Sequence, residues 1–286
     1  MARSTAVRSD APLPAEGPHA RPFLKWAGGK GQLLAQLRPL LPAVGTYGRY
    51  FEPFAGGAAL FFALNPKRAL LADVNAELID CYKAARDDVD AVIQALGQYR
   101  YAADHYYRAR EIDPRTLPLA ERAARTIYLN RTGYNGLYRV TRSGKFNVPM
   151  GRYTNPTLCD AANLKACSRA LAKVVLRRED FEAVAARAKP GDFVYFDPPY
   201  VPVSDTADFT SYVPGGFGSD QQRRLAGVFA DLARRGVHAM LSNSDTPAVR
   251  DLYAAFRIHR VLASRHINSR GSRRGKVGEV VVTTFG

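Results

Sequence analysis

The chain predicts a doubly wound α/β domain interrupted by a helical, loop-rich insertion, and three observations carry that reading. A strand–turn–helix–strand unit stands near the N-terminus, short apolar strands return in the C-terminal half, and the stretch between them has no strand pattern. In the first unit, "RYFEPF" (49–54) has the aromatic, apolar character of a strand. "AGGAALFFAL" (55–64) follows as a small-residue turn feeding a helix, and "RALLAD" (68–73) is a second strand. Such an order makes a parallel βαβ unit with a right-handed crossover. Upstream, "RPFLKWAGGKGQLLAQLRPLLP" reads as an extended segment, a glycine turn and a short amphipathic helix ending near Pro39. Residues 75–129 are mostly helical, broken by Pro114 and Pro118. From 130 to 157 the pattern gives way to a loop too long to be a plain connector, and such loops are usually functional. A helix near 160–171 and strands at 173–178, 192–196 and 237–242 resume the alternation. "RIHRVLA" and "EVVVTTF" then predict a closing β-hairpin.

Bulk properties narrow the function. With 286 residues and 47% hydrophobic content, the chain can bury a sizeable core. The expected division is a disordered tail (1–20), two parts of a catalytic domain (21–75 and 159–286), and an insertion (76–158) between them. No apolar run is long enough to span a bilayer. Three cysteines without a Cys-x-x-Cys pair argue against a disulfide framework and a zinc site and fit a reducing cytoplasm; a monomer without metal is expected. The net charge of +15 is uneven. Arg122 to Arg152 and Arg265 to Lys276 are two basic runs without an acidic residue. Interleaved with Tyr, Asn and Gly, they favour a polyanion over the alternative of solvated basic faces.

Two places carry chemistry. In "FEPFAGGAALF" small residues let a ligand approach the backbone closely, and Asp73 ends the next strand, where an acid accepts hydrogen bonds from ribose hydroxyls. Without G-x-G-x-x-G or a phosphate-loop lysine, an adenosine-type ligand lacking phosphates fits better than a dinucleotide or triphosphate. "FLKWAGGK" adds a second glycine turn with Trp26 and Lys30, able to wall a ligand that has a carboxylate. The other place is "FVYFDPPYVP" (193–202), where an apolar strand runs into Asp197, two prolines and Tyr200. An exocyclic amine on an aromatic base is a poor nucleophile, because its lone pair is delocalised into the ring. Asp197 and the Pro198 carbonyl can accept both of its N–H bonds and free that lone pair, while Tyr200 stacks on the ring.

Together "FLKWAGGK", "EPFAGG", "ADVNAELI", "YLNRTGYNGLYR", "GKFNVPMGRY", "DPPY" and "SNSDT" resemble, in order, the Dam family of S-adenosylmethionine-dependent DNA adenine N6-methyltransferases, over about residues 21–285. The resemblance implies a Rossmann-like methyltransferase sheet with a target-recognition insertion. It also implies S-adenosylmethionine as cofactor and methylation of a flipped adenine within GATC of double-stranded DNA. Asp197, Pro198 and Tyr200 match the catalytic tetrapeptide. The cofactor set it implies is Trp26, Lys30, Phe54, Gly56, Asp73, Asp180 and Asp197. In the insertion, Tyr134 and Asn135 match residues that enter the duplex; Leu137, Arg139 and Pro149 match readers of the later part of GATC. Lys25 and Tyr153 match contacts to its outer base pair. Arg152 joins this DNA-binding set, and Arg270, Arg273 and Arg274 are assigned to phosphates. The glycine motif departs by ending Gly57-Ala58 where some relatives have Ala-Gly, and Thr132 and Thr141 replace larger or more polar residues. Other readings are adenine methylation at a different sequence, methylation of an amino group on RNA or protein, and a DNA-binding relative with weak or lost catalysis.

Overall fold

The computed structural model describes residues 19–43, 45–141, 143–201, 217–264 and 276–286. Its strands are β1 (Tyr50–Glu52), β2 (Ala69–Ala72), β3 (Val174–Arg177), β4 (Phe193–Phe196), β5 (His238–Ser244), β6 (Arg257–Ser264) and β7 (Lys276–Thr283). They form one sheet in the order β3-β2-β1-β4-β5-β7-β6. The first five in that order are parallel, and β7 lies antiparallel between β5 and β6. The β1–β2 pair is the expected βαβ unit, and β6–β7 the expected closing hairpin. The hairpin tip with Arg270, Arg273 and Arg274 lies outside the described residues, as do residues 1–18 of the expected tail.

Strand residues alternate between two hydrophobic layers, as the period of two requires. On β4, Phe193 and Tyr195 face one layer, while Val194 and Phe196 face the other. The first layer is covered by α2 (Ala59–Leu64), α3 (Ala76–Asp87), α4 (Val89–Leu96), α5 (Ala103–Glu111), α6 (Leu119–Thr132) and α7 (Ala161–Leu171), with the short α1 (Leu34–Leu37) at its margin. Most of the helical insertion therefore shares its core with the sheet. The second layer is covered by α8 (Phe181–Ala185), α9 (Ser219–Arg234) and α10 (Pro247–Leu252). α9 shows why it docks: Gln222, Leu225, Phe229 and Leu232 recur at helical spacing and are buried.

Two boundaries differ from the sequence reading. The helical stretch breaks near Asp88 as well as at the prolines, because the Asp88 carboxylate accepts the Ala91 N–H and caps α4. α6 runs to Thr132, past the expected loop start at 130. Asn130 and Thr132 are buried, and the Thr132 hydroxyl bonds back to the Tyr128 carbonyl at 2.6 Å. Turned inward, Thr132 is not placed to touch a backbone phosphate.

Strand order reverses between β1 and β4. The carboxyl ends of these neighbours open a crevice where α/β sheets bind ligands. Into it lead residues 53–58 after β1 and Asp197 after β4.

Candidate active site and the adjoining loop

β4 is fully buried, and Asp197 is the first residue beyond it. The buried Lys30 ammonium sits 2.7 Å from Asp197 Oδ1, donates to the Gly28 carbonyl at 2.5 Å, and lies 4.7 Å from the centre of the Tyr200 ring. Burial pushes the Asp197 carboxyl up to about 6; Lys30 holds it down and the charge of Glu279 pushes it further up. Partners fix the rest of the tetrapeptide. Gln222 Nε2 donates to the Pro199 carbonyl at 3.0 Å, Val201 N–H donates to Asn243 Oδ1, and Ser244 Oγ donates to the Val201 carbonyl at 2.7 Å. Asn243 in turn donates to Gln222 Oε1. Within "SNSDT", then, Asn243 and Ser244 pin the chain just after Tyr200. The Tyr200 hydroxyl donates to Glu279 Oε2 at 2.8 Å. Among the described residues nothing donates to the Pro198 carbonyl.

Across the crevice, Gly56 has φ 44°, and a Cβ there would lie 2.8 Å from Trp26 Cδ1, so only glycine lets the Trp26 ring rest on the turn. Ala58, at φ 51°, also occupies the left-handed region, which a glycine tolerates without strain. The swap of Ala-Gly for Gly-Ala thus moves the side chain onto the more demanding position. Asp73 accepts the Gly56 and Asn75 N–H groups at 3.2 and 2.9 Å, and burial raises its carboxyl to about 6. Phe54 stacks on Phe181, 5.4 Å between centres. Asp180 caps α8 through the Glu182 N–H and pairs with Arg224, so part of its carboxylate is already engaged. Glu52, at the end of β1, is buried against the Tyr50 hydroxyl (2.7 Å), and burial drives it to about 8. The donors and acceptors fit an adenosyl cation: Asp73 for sugar hydroxyls, Phe54 as an apolar wall, and the carboxyl groups of Glu52, Asp73 and Asp197 lining the crevice.

The loop after α6 brings most of the predicted DNA-facing residues together. Tyr134, Asn135, Arg139, Pro149 and Arg152 are exposed, Leu137 is half-buried, and the Tyr134 N–H bonds to the Pro149 carbonyl. Lys25 Nζ lies 4.3 Å over the Tyr153 ring, whose hydroxyl donates to the Gly133 carbonyl. Burial, then the Arg131 charge, lower the Lys25 ammonium. Arg139 donates through Nε to Asn147 Oδ1 (2.7 Å) and through Nη2 to the Asn147 carbonyl. That side-on clasp leaves the guanidinium's outer edge unused. Asn130 clamps the Lys25 backbone in both directions at 2.7 Å and also holds the Gly136 carbonyl.

Three arginines of the first basic run serve the fold instead. Arg122 pairs with Glu77 and Asp80, Arg125 donates to the Ala109 and Arg110 carbonyls, and Arg131 to the Phe23 and Thr157 carbonyls. Sequence reading assigned no role to Glu52, Gln222, Glu279, Asn130 or Asn147, although Glu52, Asn130 and Asn147 stand in the quoted motifs "EPFAGG", "YLNRTGYNGLYR" and "GKFNVPMGRY", as Asn243 and Ser244 do in "SNSDT".

Residues 26–267 match the D12 class N6 adenine-specific DNA methyltransferase family, and the chain belongs to it. A Type II methyltransferase M1.LlaDCHI of Lactococcus lactis subsp. cremoris is 43% identical over 274 residues, covering 93% of this chain and 96% of the relative. The Type II methyltransferase M.MjaIII of Methanocaldococcus jannaschii is 41% identical, with 89% and 95% covered. The DNA adenine methylase of Escherichia coli K12 is 37% identical, with 91% and 94% covered. The protein is an adenine-specific DNA methyltransferase, and its sheet is the Rossmann-like one of that class. No helix among the described residues is long and apolar enough to cross a membrane, and no metal-binding cluster occurs among them.

Proposed function

We propose that the protein methylates N6 of the adenine in GATC on double-stranded DNA, using S-adenosylmethionine and acting on a base swung out of the duplex. The observation that carries this reading is the seat of Lys30. Its ammonium donates to Asp197 over the face of Tyr200, where one N–H of a target amine would lie, and the Pro198 carbonyl is left for the second. When bound, S-adenosylmethionine supplies a methyl group on a cationic sulfur. Asp73 would hold its sugar, Phe54 and Asp180 flank its adenine, and Trp26, Gly56 and Lys30 wall its amino-acid end.

The chain's own residues do the rest. Asp197 and the Pro198 carbonyl accept the two amine N–H bonds, which pulls the nitrogen's lone pair out of conjugation. Tyr200 fixes the ring plane. A nitrogen that gains a methyl group must lose one proton, and Asp197, ionised above pH about 6, is placed to take it. Residues of 76–158 would read the site, with Tyr134 and Asn135 at the vacated position, Leu137 and Pro149 against a thymine methyl and Arg139 on guanine; Tyr153 would meet the outer pair together with Lys25 from the catalytic part. Arg152 and the arginines of 265–276 would grip phosphates. The protein would act as a monomer in the cytoplasm, a setting that the three free cysteines suit.

The test is methyl transfer from labelled donor to duplexes that differ from GATC by one base pair, with the product hydrolysed to nucleosides. The reading expects N6-methyl-2′-deoxyadenosine from GATC, with large losses at each altered pair. Equal transfer to all duplexes would overturn the GATC assignment.

A further inference from the structure

Glu279 lies on β7, one strand in from the sheet's edge, opposite Ser244 of β5 and Val261 of β6, and only 7% of it is exposed. A carboxylate buried so deeply costs stability unless something donates to it. Its donor is the Tyr200 hydroxyl, 2.8 Å from Oε2, and no cation among the described residues pairs with it. The bond does two things to Tyr200. It anchors the phenol end and so sets the tilt of the ring, and because a phenol O–H prefers to lie in the ring plane, pointing it at Oε2 also restrains rotation about the long axis. It also places negative charge at the phenol end of the ring, which strengthens the ring's pull on positive charge above its face. A cation already occupies that face, the Lys30 ammonium at 4.7 Å.

We infer that Glu279 is a positioning residue for methyl transfer: through the Tyr200 hydroxyl it orients the aromatic face that receives the target base and tunes it for the positive charge that grows as the amine is alkylated. The inference rests on the proposal that Tyr200 stacks on the target adenine. No covalent step is added; Glu279 keeps its electrons and the phenol its proton.

The test compares Glu279→Gln, Glu279→Leu, Tyr200→Phe, Tyr200→Ala and the double variant Tyr200→Phe/Glu279→Leu, each first checked by thermal melting. Glu279→Leu should lower kcat by roughly ten- to a hundredfold, the range of a hydrogen bond to a charged group, and leave KM for the donor within about threefold. Glu279→Gln keeps an acceptor but not the charge and should recover only part of that loss, and the double variant should be no worse than the poorer single one. A second readout needs no turnover. Affinity for a duplex with adenine at the target, measured by fluorescence anisotropy with S-adenosylhomocysteine present, should fall roughly three- to tenfold in Glu279→Leu. On a duplex with an abasic target it should not change. Equal losses on both duplexes, additive effects in the double variant, or kcat unchanged in Glu279→Leu would each overturn the inference. If Tyr200→Ala itself leaves kcat and adenine-duplex affinity unchanged, the stacking proposal fails instead.

Discussion

Lowering the pH should switch the enzyme off through Asp197, and Lys30 should set where. Burial raises this carboxyl from 3.8 to about 6, and Lys30 at 2.7 Å keeps it from rising further. Only the ionised form accepts the amine's N–H and then its proton. The quantity to follow is kcat/KM for the donor, which reports the enzyme before the donor binds. It should be flat above pH 7 and fall below about 6, reaching roughly a tenth of its plateau at pH 5. Replacing Lys30 by Met removes the opposing charge, a change that moves a carboxylate by about 1–3 units. The midpoint should therefore climb to roughly 7–9, and the variant should gain activity between pH 7 and 9, where the parent is flat. Labelled methyl transfer across a constant-ionic-strength buffer series measures both curves. A parent profile flat to pH 5, or a Lys30→Met midpoint at or below the parent's, would refute the coupling.

Buried Glu52 should govern stability on the alkaline side. Its folded-state value of about 8 lies above the ordinary glutamate value of 4.5, so its contribution is full below pH 4.5 and is lost as pH rises through 8. Melting should drop by on the order of 2 kcal/mol between pH 6 and 8, and Glu52→Gln should flatten that slope; an unchanged slope would exclude Glu52. Arg139→Ala should cost about 1–3 kcal/mol of discrimination at one base pair, measured as rates on single-pair variants. Asn147→Ala should relax the same base pair and no other, because the clasp that points the guanidinium outward is lost; uniform loss at all pairs would mean that both only grip the backbone. Ala58→Gly should raise stability by about 0.5–1 kcal/mol, since relief of left-handed strain exceeds the added chain entropy, and a lower melting temperature would count against it.

What the sequence revealed were local patterns. The β4 strand was expected at 192–196 and runs Phe193–Phe196, because a short apolar run buried on both faces needs no distant information. "DPPY" and the glycine turn were legible because proline and glycine restrict backbone wherever they stand. Glu279 was not, since an acid in "EVVVTTF" looks like a solvent-facing strand residue until β7 is known to lie between β5 and β6. Glu52 was hidden likewise, being buried only once β4 packs beside β1. The arginines of α6 misled for a similar reason: Arg122 finds Glu77 and Asp80 on α3, a pairing that charge counting along the chain does not show.

The most direct test is to treat unmethylated plasmid with the purified protein and S-adenosylmethionine, and then to digest it with enzymes that sense GATC methylation. Adenine methylation at GATC predicts full protection from the cleaver blocked by N6-methyladenine and full cutting by the one that requires it. Asp197→Ala should give neither effect while still binding the DNA. Plasmid that takes up labelled methyl groups but remains unprotected at GATC would contradict the recognition assignment, and methylation by Asp197→Ala within tenfold of the parent would contradict the chemistry.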